Sequence, residues 1–407
     1  MTTLWDTTGT AVVKALAAER RAGGAVMSGL ALTLVVVADE LDVAEAEAAA
    51  TTAASRHPCR LLMVIRRQID APAPRLDAEV QISGRLGPGE AVVMRMYGRL
   101  ALHAESVVLP LLAPDAPVMT WWLGEPPDLI AHDPLGVFAD RRITNVARAV
   151  DPVAALRQRA NDFVPGDTDL AWTRTTPWRA MLASAFDTVR ATPVRAKVVG
   201  RDSDPAVLLI AGWLSSRFGI PAPVEDDGSR VPPGVVGVTS VSVELEEGGT
   251  VRISRSGRHQ EVTLHREGQP DGMVLLPGRD LGDLLAEELR RLDADQPYAD
   301  ALAAATGVDV LASRTEDRVH IWLDPALANG NGNGRAAQLA PATKPAVSEQ
   351  APPKPTPAPE PPPAEAATSE AARSEPPQSG AAQSGAAQNK PVVPSGHAAA
   401  EPSSEGG

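Results

Sequence analysis

Residues 30–66, LALTLVVVADELDVAEAEAAATTAASRHPCRLLMVIR, decide the fold of the amino-terminal half of the chain. Leu30–Val37 is an almost unbroken apolar run, which is typical of a strand buried on both faces. Asp42–Ser55 is rich in Ala and Glu and has no Gly or Pro, so it predicts a helix. Arg60–Arg66 predicts a second buried strand. A strand, helix and strand in this order normally close with parallel strands and a right-handed crossover.

The flanking segments extend this core into a mixed sheet. Thr10–Arg21 predicts a helix ahead of it. Leu76–Ser83 and Glu90–Met96 are joined by a Gly- and Pro-rich turn and predict a β-hairpin. Ala101–Leu112 predicts a further helix, and Val118–Leu123 a further strand. Elements in this order are typical of a mixed α/β architecture.

The middle of the chain is mainly helical in pattern. Helices are predicted over Pro152–Arg159, Trp178–Arg190 and Pro205–Arg217, and a strand over Val194–Val199. Pro221–Gly234 holds four prolines and an acidic pair, which is typical of an exposed loop.

Beyond this loop, apolar and polar residues alternate, which predicts an antiparallel sheet of three strands with one apolar face. The apolar positions are Val241, Val243, Leu245, Val251, Ile253, Val262 and Leu264. Asp280–Leu292 predicts a helix with a single stripe of leucines, and we expect this stripe to cover the apolar face of that sheet. The charged residues outside the stripe are Glu287, Glu288, Arg290 and Arg291.

These patterns predict an α/β plus α+β protein in four parts. The parts are an N-terminal mixed-sheet α/β domain at 1–150, a connecting helical region at 151–234, a C-terminal α+β domain at 235–327 and a low-complexity tail at 328–407. The tail is rich in Ala, Pro, Ser and Glu and has no aromatic residue. It cannot bury enough apolar surface to offset the entropy lost on folding, so we expect it to be disordered.

Composition excludes several classes of protein. The chain has 407 residues and a formal net charge of −13, which argues against nucleic acid as the main partner because phosphate binding needs a basic surface. Cys59 is the single cysteine, so an intrachain disulfide and a thiolate metal cluster are excluded. No apolar run approaches the roughly 20 residues of a membrane-spanning helix. We expect no export signal and a cytoplasmic location.

Common catalytic signatures are missing from the sequence. It contains no P-loop, no glycine pattern for dinucleotides after a strand, no H-E-x-x-H and no G-x-S-x-G. We therefore predict no catalytic residue, no cofactor and no metal. For three weaker candidates we favour a structural interpretation. Asp167–Asp169 would cap a helix instead of binding a cation, Cys59 would be a buried apolar residue, and His259 with His265 would be solvated strand positions.

Two tryptophan clusters stand out in a chain with only 3% aromatic residues: Met119–Pro127, MTWWLGEPP, and Asp169–Arg179, DLAWTRTTPWR. Tryptophan beside arginine is typical of the energetic centre of an interface, and a cation–π contact would strengthen it. The alternative is packing in the core, since tryptophan is largely buried in most proteins. The candidate partner-binding residues are Trp121, Trp122, Asp169, Trp172, Arg174, Trp178 and Arg179.

Arg141 and Arg142 follow a loop that contains Pro and Gly. We consider them a candidate anion-binding pair, with a solvated end of a helix as the alternative.

The two tryptophan strings resemble those of the OpcA family, the bacterial glucose-6-phosphate dehydrogenase assembly or effector proteins. The string D-L-A-W-T-R-x-T-P-W-R at Asp169–Arg179 is the more specific, and W-W-x-G-x-P-P at Trp121–Pro127 supports it. The resemblance covers about residues 1–326. It implies a non-catalytic protein that binds glucose-6-phosphate dehydrogenase and promotes its assembly or activity in the oxidative pentose phosphate pathway. Some photosynthetic relatives link this effect to thiols, but Cys59 alone cannot form an intrachain disulfide.

Three functions from different classes follow. The first is an assembly factor or allosteric activator of glucose-6-phosphate dehydrogenase. The second is a sugar-phosphate or nucleotide-binding enzyme, whose charged residues would have to converge in one pocket; they are Arg141, Arg142, Arg174 and Asp169. The third is a scaffold whose Pro-rich tail recruits another protein.

Overall fold

The computed structural model describes residues 1–22, 30–187, 189–228, 235–246, 248–255 and 260–315. These residues belong to one unit, Met1–Gly334, and the second unit, Arg335–Gly407, lies outside the described residues. The predicted tail, the end of the predicted proline-rich loop (229–234) and His259 lie outside them as well.

The first sheet is built mainly from the amino-terminal half. Its strands are β1 Thr2–Leu4, β2 Leu32–Asp39, β3 Cys59–Arg67, β4 Arg75–Gly84, β5 Gly87–Tyr97, β6 Val118–Trp122, β7 Arg141–Thr144 and β8 Asp167–Asp169. Their order is β1-β4-β5-β3-β2-β6-β7-β8. The six strands β5, β3, β2, β6, β7 and β8 run parallel to one another. β4 pairs antiparallel with β5, and β1 pairs antiparallel with β4. The predicted parallel pair and the predicted hairpin are therefore confirmed.

The two central strands are apolar because both of their faces are covered. In β2, Leu34 and Val36 belong to one core cluster, and Val35 and Val37 belong to another on the opposite face. All four side chains are at most 5% exposed. This is the arrangement that an unbroken apolar run predicts.

The described helices are α1 Gly9–Ala22, α2 Val43–Arg56, α3 Glu105–Val108, α4 Pro152–Asn161, α5 Leu170–Arg174, α6 Thr176–Phe186, α7 Pro205–Phe218, α8 Leu281–Glu288 and α9 Gln296–Thr306. Residues of α1 and α3 pack on one face of the first sheet, and residues of α2 pack on the other. Within the described part of the chain, none of the helices is long and apolar enough to cross a membrane.

The helix predicted over Ala101–Leu112 is wrong as a continuous element. The segment instead contains the single turn α3 between two short 3₁₀ turns, Gly98–Leu102 and Leu109–Leu111. Pro110 has no backbone N–H and cannot continue a helix through this segment.

The second sheet is mixed. Its strands are β9 Pro193–Gly200, β10 Val224–Glu225, β11 Val238–Leu245, β12 Thr250–Arg255, β13 Glu261–Arg266 and β14 Gly272–Leu275. Their order is β10-β9-β11-β12-β13-β14. The predicted antiparallel pairing of β11, β12 and β13 is confirmed, and β9 and β14 extend it. The two-residue β10 pairs parallel to β9, so the sheet is not purely antiparallel.

The predicted cover of this sheet is wrong. The leucines of α8 pack against α2 on the first sheet, as part of the cluster that includes Leu284 and Leu285. The second sheet is covered instead by α6 and α7, which contribute Leu182 and Ile210 to its core. A leucine stripe shows that a helix is covered on one side, but it does not show which sheet lies there.

Close packing of α7 on α9 yields a test of this arrangement. A Cβ added at Gly212 would lie 2.2 Å from the carbonyl oxygen of Ala301 and 2.8 Å from the backbone nitrogen of Ala305. Because backbone atoms cannot move aside, we expect Gly212→Ala to lower the free energy of unfolding by about 1–3 kcal/mol. This loss occurs although alanine favours an isolated helix by about 1 kcal/mol.

Gly272→Ala is the matched control, because a Cβ there meets no atom within 4 Å. Urea denaturation should show a change of about 0.5 kcal/mol or less for the control. Equal stability of the two variants would contradict the close contact of α7 and α9.

Candidate functional site

The Asp169–Arg179 string carries the chain from the first sheet to the second, through α5 and α6. Asp169 begins this passage as the N-cap of α5, and its Oδ1 accepts a hydrogen bond from the backbone N–H of Ala171 at 2.8 Å. Its Oδ2 accepts from Thr144 Oγ1 at 2.6 Å and from the backbone N–H of Val146 at 2.9 Å. Burial raises the pKa of this carboxyl. Asp169 is thus a helix cap with both oxygens occupied.

The candidate anion-binding pair is closed to solvent. Arg141 and Arg142 are 0% exposed. Arg142 pairs with Asp167 and donates to the carbonyl oxygens of Ala139 at 2.8 Å and Pro165 at 2.7 Å. Arg141 Nη2 lies 2.7 Å from Glu288 Oε2. Both guanidinium groups have protein acceptors, so in this structure neither is open to an anion.

Trp121 and Trp122 are core residues on opposite faces of the first sheet, as their adjacent positions on β6 require. They are 0% and 1% exposed. Their indole N–H groups have no hydrogen-bond partner among the described residues, so packing holds these rings in place. Trp178 is 2% exposed in the core of the second sheet. None of these three rings is presented to a partner in this structure.

Trp172 connects α5 to the start of α9. Its Nε1–H donates to Asp295 Oδ2 at 2.9 Å. The same carboxylate pairs with Arg291 at 2.8 Å and caps α9 through the backbone N–H of Tyr298 at 3.1 Å. The Trp172 ring is 0% exposed, and the guanidinium of Arg179 lies 3.6 Å from its centroid. The predicted cation–π contact is therefore present, but inside the protein.

Two glutamates at the end of α8 complete the network. Thr173 Oγ1 donates to Glu288 Oε1 at 2.6 Å, and Thr176 Oγ1 donates to Glu287 Oε1 at 2.8 Å. Arg279 lies 2.7 Å from Glu287 Oε2. Burial raises the pKa of Glu288, against the opposing effect of the neighbouring Arg141. We define the 169–179 junction as Glu287, Glu288, Asp295 and the residues of the Asp169–Arg179 string that contact them.

The sequence reasoning missed the role of these glutamates. It placed Glu287 and Glu288 outside the leucine stripe, and the structure buries them at 9% and 2% exposure. Arg279 is near Glu287 in the sequence, but Thr173, Thr176 and Arg141, which also donate to these glutamates, lie about 110 to 150 residues earlier in the chain, so no local pattern marks them. The one available signal was the donor-rich string itself, whose hydroxyls and guanidiniums need acceptors when buried.

The two arginines of the string behave differently. Arg179 is half-buried and donates to Thr175 Oγ1 and Thr176 Oγ1, both at 2.9 Å. Burial lowers the pKa of Arg179 to about 10. Arg174 is also half-buried, but it stays outside the junction and lines a small pocket beside Trp178. The structure therefore brings Trp172 and Arg179 into contact, places Asp169 at the start of α5, and leaves Trp121 and Trp122 apart.

The chemistry open to this site is limited. In the described part of the chain, no group of three or more His, Cys, Asp or Glu side chains could hold a metal ion. Cys59 is buried, and burial raises the pKa of its thiol to about 12, which disfavours the reactive thiolate. The acids of the junction are paired with internal donors. The arrangement can hold segments together, and it leaves no paired acid and base facing a cleft.

Two protein-family models of the OpcA type match the chain. The first describes the N-terminal domain of a glucose-6-phosphate dehydrogenase subunit and matches residues 50–161. The second describes the C-terminal domain of the same protein and matches residues 165–302. Together they span more than half of the chain. Among curated proteins, no sequence matches it.

Several solved structures match the chain weakly. An NAD binding oxidoreductase from Klebsiella pneumoniae is 11% identical, with 70% of this chain and 96% of that chain covered and a TM-score of 0.35. An oxidoreductase from Sinorhizobium meliloti is 10% identical, with 68% and 86% covered and a TM-score of 0.33. Glucose-6-phosphate 1-dehydrogenase from Mycobacterium avium is 10% identical, with 72% and 94% covered and a TM-score of 0.34. Likeness at this level establishes neither a shared fold nor a shared activity.

The buried pair Arg141–Glu288 tests whether the junction holds the fold together. Arg141→Met leaves the Glu288 carboxylate buried without its guanidinium, and we expect a loss of about 3–5 kcal/mol in the free energy of unfolding. Adding Glu288→Gln removes the unpaired charge and should recover most of this loss. Urea denaturation of the single and double variants measures both effects.

The exposed pair Arg195–Glu244, at 3.2 Å, is the matched control. We expect Arg195→Met to cost less than about 1 kcal/mol because solvent screens this pair. If Arg141→Met cost no more than Arg195→Met, the junction would not be a stabilising element.

Proposed function

The chain belongs to the OpcA family, and we propose that it is a non-catalytic assembly factor that binds glucose-6-phosphate dehydrogenase and promotes its active oligomer. The oxidative pentose phosphate pathway would be the setting. The observation that carries this proposal is the pair of family models, which together match residues 50–161 and 165–302.

The geometry of the 169–179 junction supports a structural role for the residues that the sequence singled out. Trp172 and Asp169 are fully buried, and their polar atoms bond within the protein. The string fixes α5 and α6 against α8 and the start of α9. Because α8 packs on the first sheet and α6 packs on the second, these contacts hold α6 in a fixed position relative to the first sheet. We propose that the dehydrogenase binds a surface whose shape this arrangement maintains. The buried tryptophans then affect binding indirectly, by keeping that surface in shape.

Activation requires that the chain bind the active form of the dehydrogenase more tightly than the inactive form. A tenfold shift of that equilibrium needs a difference of about 1.4 kcal/mol in binding free energy. A few well-packed interface residues suffice for this, and no chemical step by the chain is needed.

The residues proposed for the alternative, a sugar-phosphate or nucleotide-binding enzyme, do not form a shared pocket. Arg141, Arg142 and Asp169 do not converge with Arg174 in one pocket, because each of them is occupied by internal partners. We do not propose a catalytic function from these residues.

The free edge of the second sheet is the surface that we propose for contact. β14 pairs only with β13 among the described strands. Met273 and Leu275 are 69% and 67% exposed and share the face opposite the core, whereas Val274 opposes the buried Val262. An exposed apolar strand edge is a site for pairing with another chain unless something covers it. We propose that the dehydrogenase covers this edge.

The first test is size-exclusion chromatography with light scattering of the chain mixed with the dehydrogenase of its own organism, followed by activity assays of the fractions. We expect co-elution and a higher turnover than for the dehydrogenase alone. Separate elution with unchanged turnover would refute the proposed function.

A second test addresses the edge. The double variant Met273→Lys with Leu275→Lys should weaken co-elution by tenfold or more, since about two buried apolar anchors are replaced by charges. Its melting temperature should stay near that of the wild type, because both side chains are exposed. Val150→Lys, at an exposed loop position, is the control and should bind normally. Normal binding by the double variant would place the contact elsewhere.

A further inference from the structure

The outer strand β14 has main-chain groups that point toward the open edge of the second sheet. The backbone N–H of Leu276, just after β14, donates to the carbonyl oxygen of Gln260, just before β13, at 2.7 Å. In an antiparallel ladder, alternate residues of a strand bond to the same neighbour. Val274 therefore also bonds toward β13, and the N–H and C=O groups of Met273 and Leu275 point away from it. Among the described residues, no strand pairs with β14 on that side.

The other outer strands of the two sheets have features that oppose pairing with a further chain. β1 and β8 have three residues each, and two of the three in β8 are Asp167 and Asp169. β10 has two residues, one of which is Glu225, and it follows Pro223. Short length, charge and proline are the usual protections of a strand edge. The segment 272–276, GMVLL, has no charge and no proline, and its register with β13 runs without a bulge.

The side chains of β14 are apolar on both faces of the sheet and are only partly covered. Met273 and Leu275 lie on the outer face and are mostly exposed, and Val274 is 40% exposed on the face that carries the core. Val262, which lies opposite Val274 on β13, is 0% exposed. Burial on the core face thus falls from Val262 to Val274 toward the open edge. A further strand beside β14 would bury apolar surface on both faces of the sheet.

An edge of this kind selects its partner by the shape of the partner's backbone. Free N–H and C=O groups at every second residue are matched by an extended strand, whereas a helix satisfies its own backbone groups. Because β14 is uncharged and apolar on both faces, the strand that fits beside it is apolar on both faces as well. Pro270 and Pro277 lie on either side of β14 and limit the pairing to a short segment.

We propose that the dehydrogenase contributes a short extended strand that pairs with the main-chain groups of Met273 and Leu275, so that the second sheet continues into the partner. This strand is uncharged and apolar on both faces. The inference rests on the proposed function and adds the form of the contact. A contact made by side chains alone would place the same residues in the interface without any backbone pairing.

Two substitutions at one position separate backbone pairing from side-chain contact. Met273→Pro removes the N–H that faces the open edge and keeps an apolar side chain. This N–H makes no bond to β13, so the sheet should stay intact, as it does around prolines in natural edge strands. Met273→Thr keeps the N–H and the preference for a strand but removes the apolar side chain.

Isothermal titration calorimetry with the dehydrogenase of the same organism measures both effects. We expect Met273→Pro to weaken binding by about tenfold or more, because an acceptor on the partner strand is left unpaired in the interface. Met273→Thr should weaken binding by a smaller factor. Val150→Pro is the matched proline control, since Val150 is exposed and the preceding Ala149 already has an extended backbone. This control should bind like the wild type.

Hydrogen–deuterium exchange of the full chain reads the backbone pairing directly. In the chain alone, the amides of Met273 and Leu275 should exchange rapidly, because their N–H groups face solvent, and that of Leu276 should exchange more slowly. Addition of the dehydrogenase should slow exchange at Met273 and Leu275 by about tenfold or more. Fragment-resolved mass spectrometry of the segment 271–277 measures these rates.

Three results would overturn the proposal, and each has a different meaning. Normal binding by Met273→Pro with no added protection of the two amides would reject strand pairing and leave the proposed function in place. Slow exchange of both amides in the chain alone would show that the edge is already covered, by a second copy if light scattering gives a dimer and by another segment of the same chain if it gives a monomer. Separate elution of the wild-type chain and the dehydrogenase would reject the proposed function together with this inference.

Discussion

Glu288 is the side chain on which the relative positions of β7, α5 and α8 depend. Its carboxylate accepts from Arg141 on β7 and from Thr173 on α5, while its own helix packs on α2. A carboxylate that is 2% exposed is stable only when both oxygens have strong donors. Moving α5, α8 or the end of the first sheet would leave a buried charge unpaired. The cost of that separation fixes one relative position for these three elements.

Local patterns in the sequence predicted most elements of the fold. The apolar runs of β2 and β3 and the alternation of β11 to β13 were sufficient, because each pattern reflects burial on two faces or on one. The same logic failed for α8. Its leucines predicted a covered face, but the choice between two sheets depends on residues such as Thr173 and Arg141, which are distant in sequence.

The sequence singled out the residues of the candidate site, but it could not show how they are arranged. The Asp169–Arg179 string is indeed where polar and aromatic groups converge, and Arg179 does stack on Trp172. Residue type alone could not show that the convergence is internal. Tryptophan and arginine occur together both in interfaces and in buried corners, and only the acceptors Glu287, Glu288 and Asp295 distinguish the two.

The packing of α2 on α8 also limits when this part of the fold can form during synthesis of the chain. Arg56 and Asp283, which pair across these helices, are separated by 227 positions. At about 5–20 residues per second, a ribosome needs on the order of ten seconds or more to make the intervening chain. During that time the side of α2 that packs on α8 in the folded protein is uncovered, and Thr52 lacks its close contact with Gly282. The nascent chain therefore carries the apolar side of α2 without its cover through most of its translation.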